Sequence, residues 1–246
     1  MTKPRIIVLM HYLEIGGAET SLIGLLGALN PSQVAVDLFI YSHQGPMMKF
    51  VPNWVNLLPE VMEYTMIERP MKEVLKCGAF RVLAGRLLAK YKHYLYISKH
   101  SEKRMLDASL FQYVGDCVTP YLPPINPTVE YDLCISFLNP HNIGRDKVCA
   151  KKRIAWIHTD YSTVRVNAKQ ELPVWDAYDN IVSISPDVTR SFVQTFPSLE
   201  RKIIEIENIL SPVFVRSLAD EFDVSAEMRG GKHSVNRQIL PSKDFR

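Results

Sequence analysis

Arg5-Ile6-Ile7-Val8-Leu9-Met10, then His11-Tyr12-Leu13-Glu14-Ile15-Gly16-Gly17-Ala18-Glu19-Thr20, then an apolar run ending at Asn30-Pro31: this opening decides the fold. The first six residues have the pattern of a short strand covered on both faces. Gly16-Gly17 lets the backbone turn sharply and lets a ligand approach where a Cβ would stand in the way. Leu22, Ile23, Leu25, Leu26 and Leu29 give the following segment, about 18–30, the apolar face of a helix. The residue before Pro31 is biased away from helix, so the helix ends there. A helix that starts at such a turn aims its free N–H groups at it, which suits an anion or phosphate. The run is not the G-x-G-x-x-G dinucleotide fingerprint, and an ordinary strand-to-helix turn stays open beside a ligand-binding one.

Outward from this stretch, strands and helices alternate. Strands are expected at 34–41, 55–59, 131–137, 152–157, 180–184 and 202–206. Helical periodicity runs through 71–97, and further helices are expected at about 101–116, 173–178 and from Pro186, with Ser185 as N-cap. This order implies parallel β-α-β units and a doubly wound, mainly parallel, Rossmann-like α/β sheet. Residues 5–10 should lie centrally, with Gly16-Gly17 at the carboxyl edge of the sheet.

The 246 residues are 47% hydrophobic, ample for a core. Cys77, Cys117, Cys134 and Cys149 form no C-x-x-C pair and sit at no zinc-ligand spacing with histidine, as expected of reduced thiols in a cytoplasmic protein. The first apolar run is too short for a signal-peptide core, and no run approaches the roughly 20 residues of a spanning helix. No H-E-x-x-H, D-x-D or G-x-S-x-G motif appears, so neither a metal nor a serine nucleophile is expected.

Charge is uneven. The chain carries a net +3, yet 71–104 holds Lys72, Lys76, Arg81, Arg86, Lys90, Lys92, Lys99, Lys103 and Arg104 against Glu73 and Glu102. Three readings stand side by side: a solvated helix face, nucleic-acid binding without a recognised motif, and docking on an anionic membrane with Tyr91, Tyr94 and Tyr96 as interfacial anchors.

Four motifs in order resemble family 4 glycosyltransferases of the GT-B fold. They are the Gly16-Gly17-Ala18-Glu19 turn; Ala155-Trp156-Ile157-His158-Thr159-Asp160-Tyr161; Ile181-Val182-Ser183-Ile184-Ser185-Pro186-Asp187-Val188; and Ile206-Glu207-Asn208-Ile209-Leu210-Ser211-Pro212. The resemblance covers roughly residues 5–219 and is closest to bacterial enzymes of surface-polysaccharide assembly. It implies the N-terminal, acceptor-side half of a GT-B enzyme that moves a sugar from a nucleotide-sugar to a glycan or lipid-linked acceptor. It also implies retention of anomeric configuration, no metal or other cofactor, no nucleic-acid partner, and a place at the inner face of the cell membrane. It assigns a catalytic role to His158 and substrate contacts to Gly16, Gly17, Asp160 and Tyr161. Glu19 reads as a helix cap, and Asn139-Pro140-His141-Asn142 departs from the family pattern. So does Asn208-Ile209, where the family often has Asn-Gly.

After Ala219 the pattern changes. Residues 220–246 show no clear apolar period and read as linker and unstructured tail, where the family's donor-binding domain would begin. A frameshift is one reading, because codon degeneracy over 232–243 permits N-I-L-S-I-G-R-F-S-P in the next frame; a natural stop is another. The alternatives to an enzyme half are a non-catalytic acceptor-binding remnant and an unrelated Rossmann-like nucleotide-binding protein.

Overall fold

The computed structural model describes residues 3–99, 106–209 and 215–216. The chain divides into two compact units, Met1–Leu210 and Ser211–Arg246, and the expected linker and tail at 220–246 lie outside the described residues.

The first unit is built on β1 (Arg5–Met10), α1 (Gly17–Ala28), β2 (Ala35–Ile40), β3 (Asn56–Leu57), α2 (Met62–Thr65), α3 (Met71–Lys76) and α4 (Phe80–Ile97). There follow β4 (Leu106–Asp107), α5 (Ser109–Val118), β5 (Tyr131–Ser136), α6 (Asn142–Asp146), β6 (Ala150–Ile157) and β7 (Val164–Arg165). The unit closes with α7 (Ala168–Asp176), β8 (Asn180–Ser183), α8 (Pro186–Thr195) and β9 (Ile203–Glu205). Seven strands form one sheet in the order β3-β2-β1-β5-β6-β8-β9, and every pairing is parallel. This is the doubly wound α/β architecture read from the alternation of elements. Strand order reverses between β1 and β5, so the crevice at their carboxyl ends is the place where such sheets hold ligands.

Burial follows the pleat. Ile7 and Leu9 on one face of β1 and Val8 and Met10 on the other are all fully buried, so both faces are covered. Ile7 and Leu9 join Phe39, Tyr64, Val74, Val82 and Ile143 in one cluster; Ala155, Ile157, Trp175, Ile181 and Phe192 anchor another. At the opposite edge, Asp37 of β2 is buried and is bonded by Arg5 (2.8 Å), Asn56 (2.7 Å) and Tyr131 (2.6 Å), which joins four strands through one carboxylate.

Several boundaries differ from the sequence expectation. The periodic stretch 71–97 is two helices, because Gly78 at φ 71° breaks it between α3 and α4. The helix expected at 101–116 is α5 at 109–118; residues 106–107 before it form β4, which pairs with β7 in a small second sheet, and 101–105 are outside the described residues. α7 begins at Ala168, more than a turn before Pro173, which lies inside it. The third strand shrinks to two residues.

Candidate functional site

The loops after β1 and β2 are zipped together and floor one side of the crevice. Met10 and His11 carbonyls accept from Tyr41 and Ser42 N–H (both 2.9 Å), Leu13 N–H donates to Gln44 O (2.9 Å), and Met47 N–H donates to Leu13 O (3.0 Å). Gly45 makes this possible. Its φ is 102°, and a Cβ there would stand 2.0 Å from Leu13 O.

His11, immediately beyond β1, is 7% exposed, and its Nδ1 is hydrogen-bonded to Glu68. Its ring packs 5.0 Å from that of Tyr41, which in turn packs 5.6 Å from Tyr64. These residues, with Tyr12, Ser42 and Glu73, line a cavity of about 390 Å³. His11 Nε2 and the hydroxyl oxygens of Tyr41 and Ser42 are buried without a hydrogen-bond partner among the described residues. Arg69 Nε, in the same lining, likewise has no partner among the described residues, and since buried polar atoms are nearly always paired, these four orphans mark a place open to water or a polar guest. Glu68 would be raised by burial, but the hydrogen bond and charge of His11, aided by Arg86, hold it below the ordinary glutamate value. In the neutral ring, a carboxylate on Nδ1 selects the tautomer that leaves Nε2 as an acceptor.

Two further histidines stand on the same edge. His141, after β5, is buried, with Nδ1 2.8 Å from Ser136 Oγ and its ring on Trp175 at 4.4 Å. Burial, then the charges of His11 and His158, push it down to about 3. His158, after β6, packs its ring 4.6 Å from Phe137 and parallel to Trp156 at 6.4 Å. Burial pushes it down to about 4, so it is a neutral imidazole at neutral pH. The Nε2 atoms of both also lack partners among the described residues.

The residues expected from sequence fare differently. No hydrogen bond or ring contact joins His158 to Gly16 or Gly17 among the described residues. Gly16 precedes α1 in an extended conformation, and a Cβ on it would stand 2.3 Å from Glu19 Oε2; Gly17 faces open space. The Glu19 carboxylate, raised by burial and lowered by its own backbone N–H, folds back over the start of α1, as a cap does. It takes up ground that a phosphate at this helix end would need. Asp160 is exposed and accepts from Ser162 N–H at 2.9 Å, an ordinary turn contact. Tyr161 is buried against Phe192 and Phe196, and its hydroxyl donates to Glu171 at 3.2 Å. The hydroxyl read as a substrate contact is committed to the core.

Sequence reading passed over His11, Tyr41 and Glu68. The rule that singled out His158, a histidine just past a central strand, applies equally to His11. Glu68 carries no such signal, because it is 57 residues from the histidine it orients.

No family model matches this chain, and no curated protein matches it. Among solved structures, a crystal structure of Anabaena Alr3699/HepE in complex with UDP-glucose aligns with 88% of this chain and 49% of its own, at 13% identity and a TM-score of 0.42. A second, of the same protein with UDP and glucose, aligns over 89% and 50%, at 12% identity and a TM-score of 0.43. The chain spans about half the length of those it aligns with. The doubly wound fold stands on strand order and register alone.

Proposed function

We propose that this chain is the acceptor-side half of a glycosyltransferase, binding a glycan or lipid-linked acceptor to which a sugar passes from a nucleotide-sugar. The observation that carries the reading is the cavity beside His11. Tyr12, Tyr41 and Tyr64 give the cavity aromatic walls suited to the C–H groups of a pyranose, and the orphaned polar atoms, with Glu68 and Glu73, offer hydroxyl partners. A volume of about 390 Å³ accommodates a hexose unit. The His11 imidazole, steadied by Glu68, can take the hydrogen of a sugar hydroxyl as it becomes a nucleophile. The neutral His158 would sit nearer the reacting carbon, and Gly16-Gly17 would admit the transferred sugar rather than its phosphate. Retention of configuration and independence of metal follow from the family resemblance in the motifs. The donor nucleotide would be held by a second domain, as the family resemblance implies, while the domain described here would bind the acceptor.

The Glu19 carboxylate at the start of α1 argues against the rival reading, a nucleotide-binding protein that seats a diphosphate at that turn. The test is ligand-observed NMR with a panel of methyl hexopyranosides. Binding that is lost in His11→Ala is the expected result. Hexoside binding untouched by His11→Ala would refute the site.

A further inference from the structure

Helix α4 has two apolar faces, and only one of them is used by the core. Val82, Gly85 and Ala89, spaced at three and four residues, are buried against the body of the unit. Phe80, Ala84, Leu87, Tyr91 and Tyr94 follow the same spacing on the opposite side. Phe80 is 64% exposed, Leu87 54%, Tyr91 60% and Tyr94 64%, and Leu88 and Leu95 widen the row. Arg81, Lys92 and Lys99 lie along one flank of this row and Lys90 along the other, all exposed, and α4 contains no Asp or Glu. The neighbouring α3 adds exposed Leu75 between Lys72 and Lys76.

A solvated helix needs no second apolar stripe, and scattered exposed leucines would not line up at helical spacing. Nucleic acid would be met by cations at the centre of a face, whereas here the centre is aliphatic and aromatic and the cations are at its margins. We propose that the outer face of α4, with the adjoining end of α3, docks on an anionic lipid bilayer, the helix lying in the plane of the interface. The apolar row enters the acyl boundary, the tyrosines sit at headgroup depth, and the flanking lysines and Arg81 reach back to lipid phosphates. No helix among the described residues is long and apolar enough to cross a membrane, so this is attachment to one leaflet.

The placement has a use. A second cavity, about 270 Å³, is lined by Arg86 and Lys90 of α4 and by Leu110, Phe111 and Val114 of α5, and it shares Ile67 and Glu68 with the cavity beside His11. A docked α4 therefore carries on its flank a recess, edged by Arg86, Lys90 and Glu68, that adjoins the His11 cavity. Docking itself does not rest on sugar transfer and is read without it.

The experiment is co-sedimentation of the full chain with vesicles of phosphatidylcholine alone and with 30 mol% phosphatidylglycerol, at low and high salt, with sedimentation velocity of the protein alone. Binding should require the anionic lipid and weaken with salt. Arg81→Gln with Lys90→Gln removes one cation from each flank and should weaken binding about thirty-fold, about fivefold per cation. Leu87→Ser with Tyr91→Ser should abolish retention on vesicles at high salt while leaving the melting temperature unchanged, because neither side chain serves the core. Equal binding to neutral and anionic vesicles, or none to either, would overturn the proposal. So would a stable dimer that Leu87→Ser dissolves while wild type ignores lipid.

Discussion

Glu171 should make this protein lose stability as pH rises through neutrality, and Glu171→Gln should remove that loss. The carboxyl group sits on α7, 3% exposed, with Tyr161 hydroxyl at 3.2 Å and Trp175 Nε1 at 3.4 Å both on Oε2. Burial raises it to about 7 from 4.5, against the two hydrogen bonds that favour the charged form. The folded state therefore holds the proton more tightly than the unfolded chain. The associated stability is complete below pH 4.5 and is lost as pH rises to and beyond 7. A shift of that size, at 1.36 kcal/mol per pH unit, amounts to about 3 kcal/mol. In a domain of this size that is on the order of 6–12 °C in melting temperature. The amide of Gln keeps an oxygen for Tyr161 and Trp175, and any fixed cost of its NH2 group does not vary with pH. The assay is urea unfolding of both proteins at pH 4.5, 6 and 8. The free-energy difference between variant and wild type should move in favour of the variant by about 3 kcal/mol across that range. Parallel profiles would refute the burial argument for Glu171.

On the acid side the sign reverses. His141 and His158 are held near 3 and 4, below the 6.5 of the unfolded chain, so the stability they carry is present above pH 6.5 and falls away as pH drops toward those values; His158→Gln should flatten the acid limb of a melting profile. Gly24→Ala should lower the melting temperature clearly, since its Cβ would stand 1.6 Å from Ile209 O, where the segment after β9 lies on α1 and Asn208 accepts from Ser21 (2.7 Å); the cost should be about 1–3 kcal/mol by thermal unfolding. Tyr41→Phe should leave stability nearly unchanged, because the hydroxyl makes no bond, yet should weaken hexoside binding several-fold by NMR titration.

The strands were legible because a strand buried on both faces has little choice of residue, and β1, β2 and β5 are nearly continuous apolar runs whose ends are punctuated by Gly, Pro and Asn. Their parallel pairing followed from the alternation with helices. The break at Gly78 was hidden because apolar spacing continues through it, from Val74 and Leu75 to Phe80 and Val82, on two helices that share one core. The β4–β7 pair was hidden because two residues carry no period. At the site, position along a strand could be read and contact could not. His158 and His11 are visible as residues past strand ends, but the Glu68 bond, the Tyr41 orphan and the inward turn of Tyr161 arise from chain segments that meet only in space.

The carboxylate of Asp37 has a consequence for how the sheet is assembled. Its partners come from β1, β3 and β5, so it is satisfied only when three separate pairings are all correctly aligned. A one-residue slip of β2 would turn Asp37 to the other face and bury a charge with no partner, a penalty of roughly several kcal/mol. Apolar runs such as Val8-Leu9 against Leu38-Phe39 carry no such charge penalty for a slip, since one apolar residue replaces another and the cost is one of packing alone. Asp37 makes such errors expensive before the sheet closes over them. The most uniform part of the chain thus carries its own proofreading, at the edge opposite the candidate site.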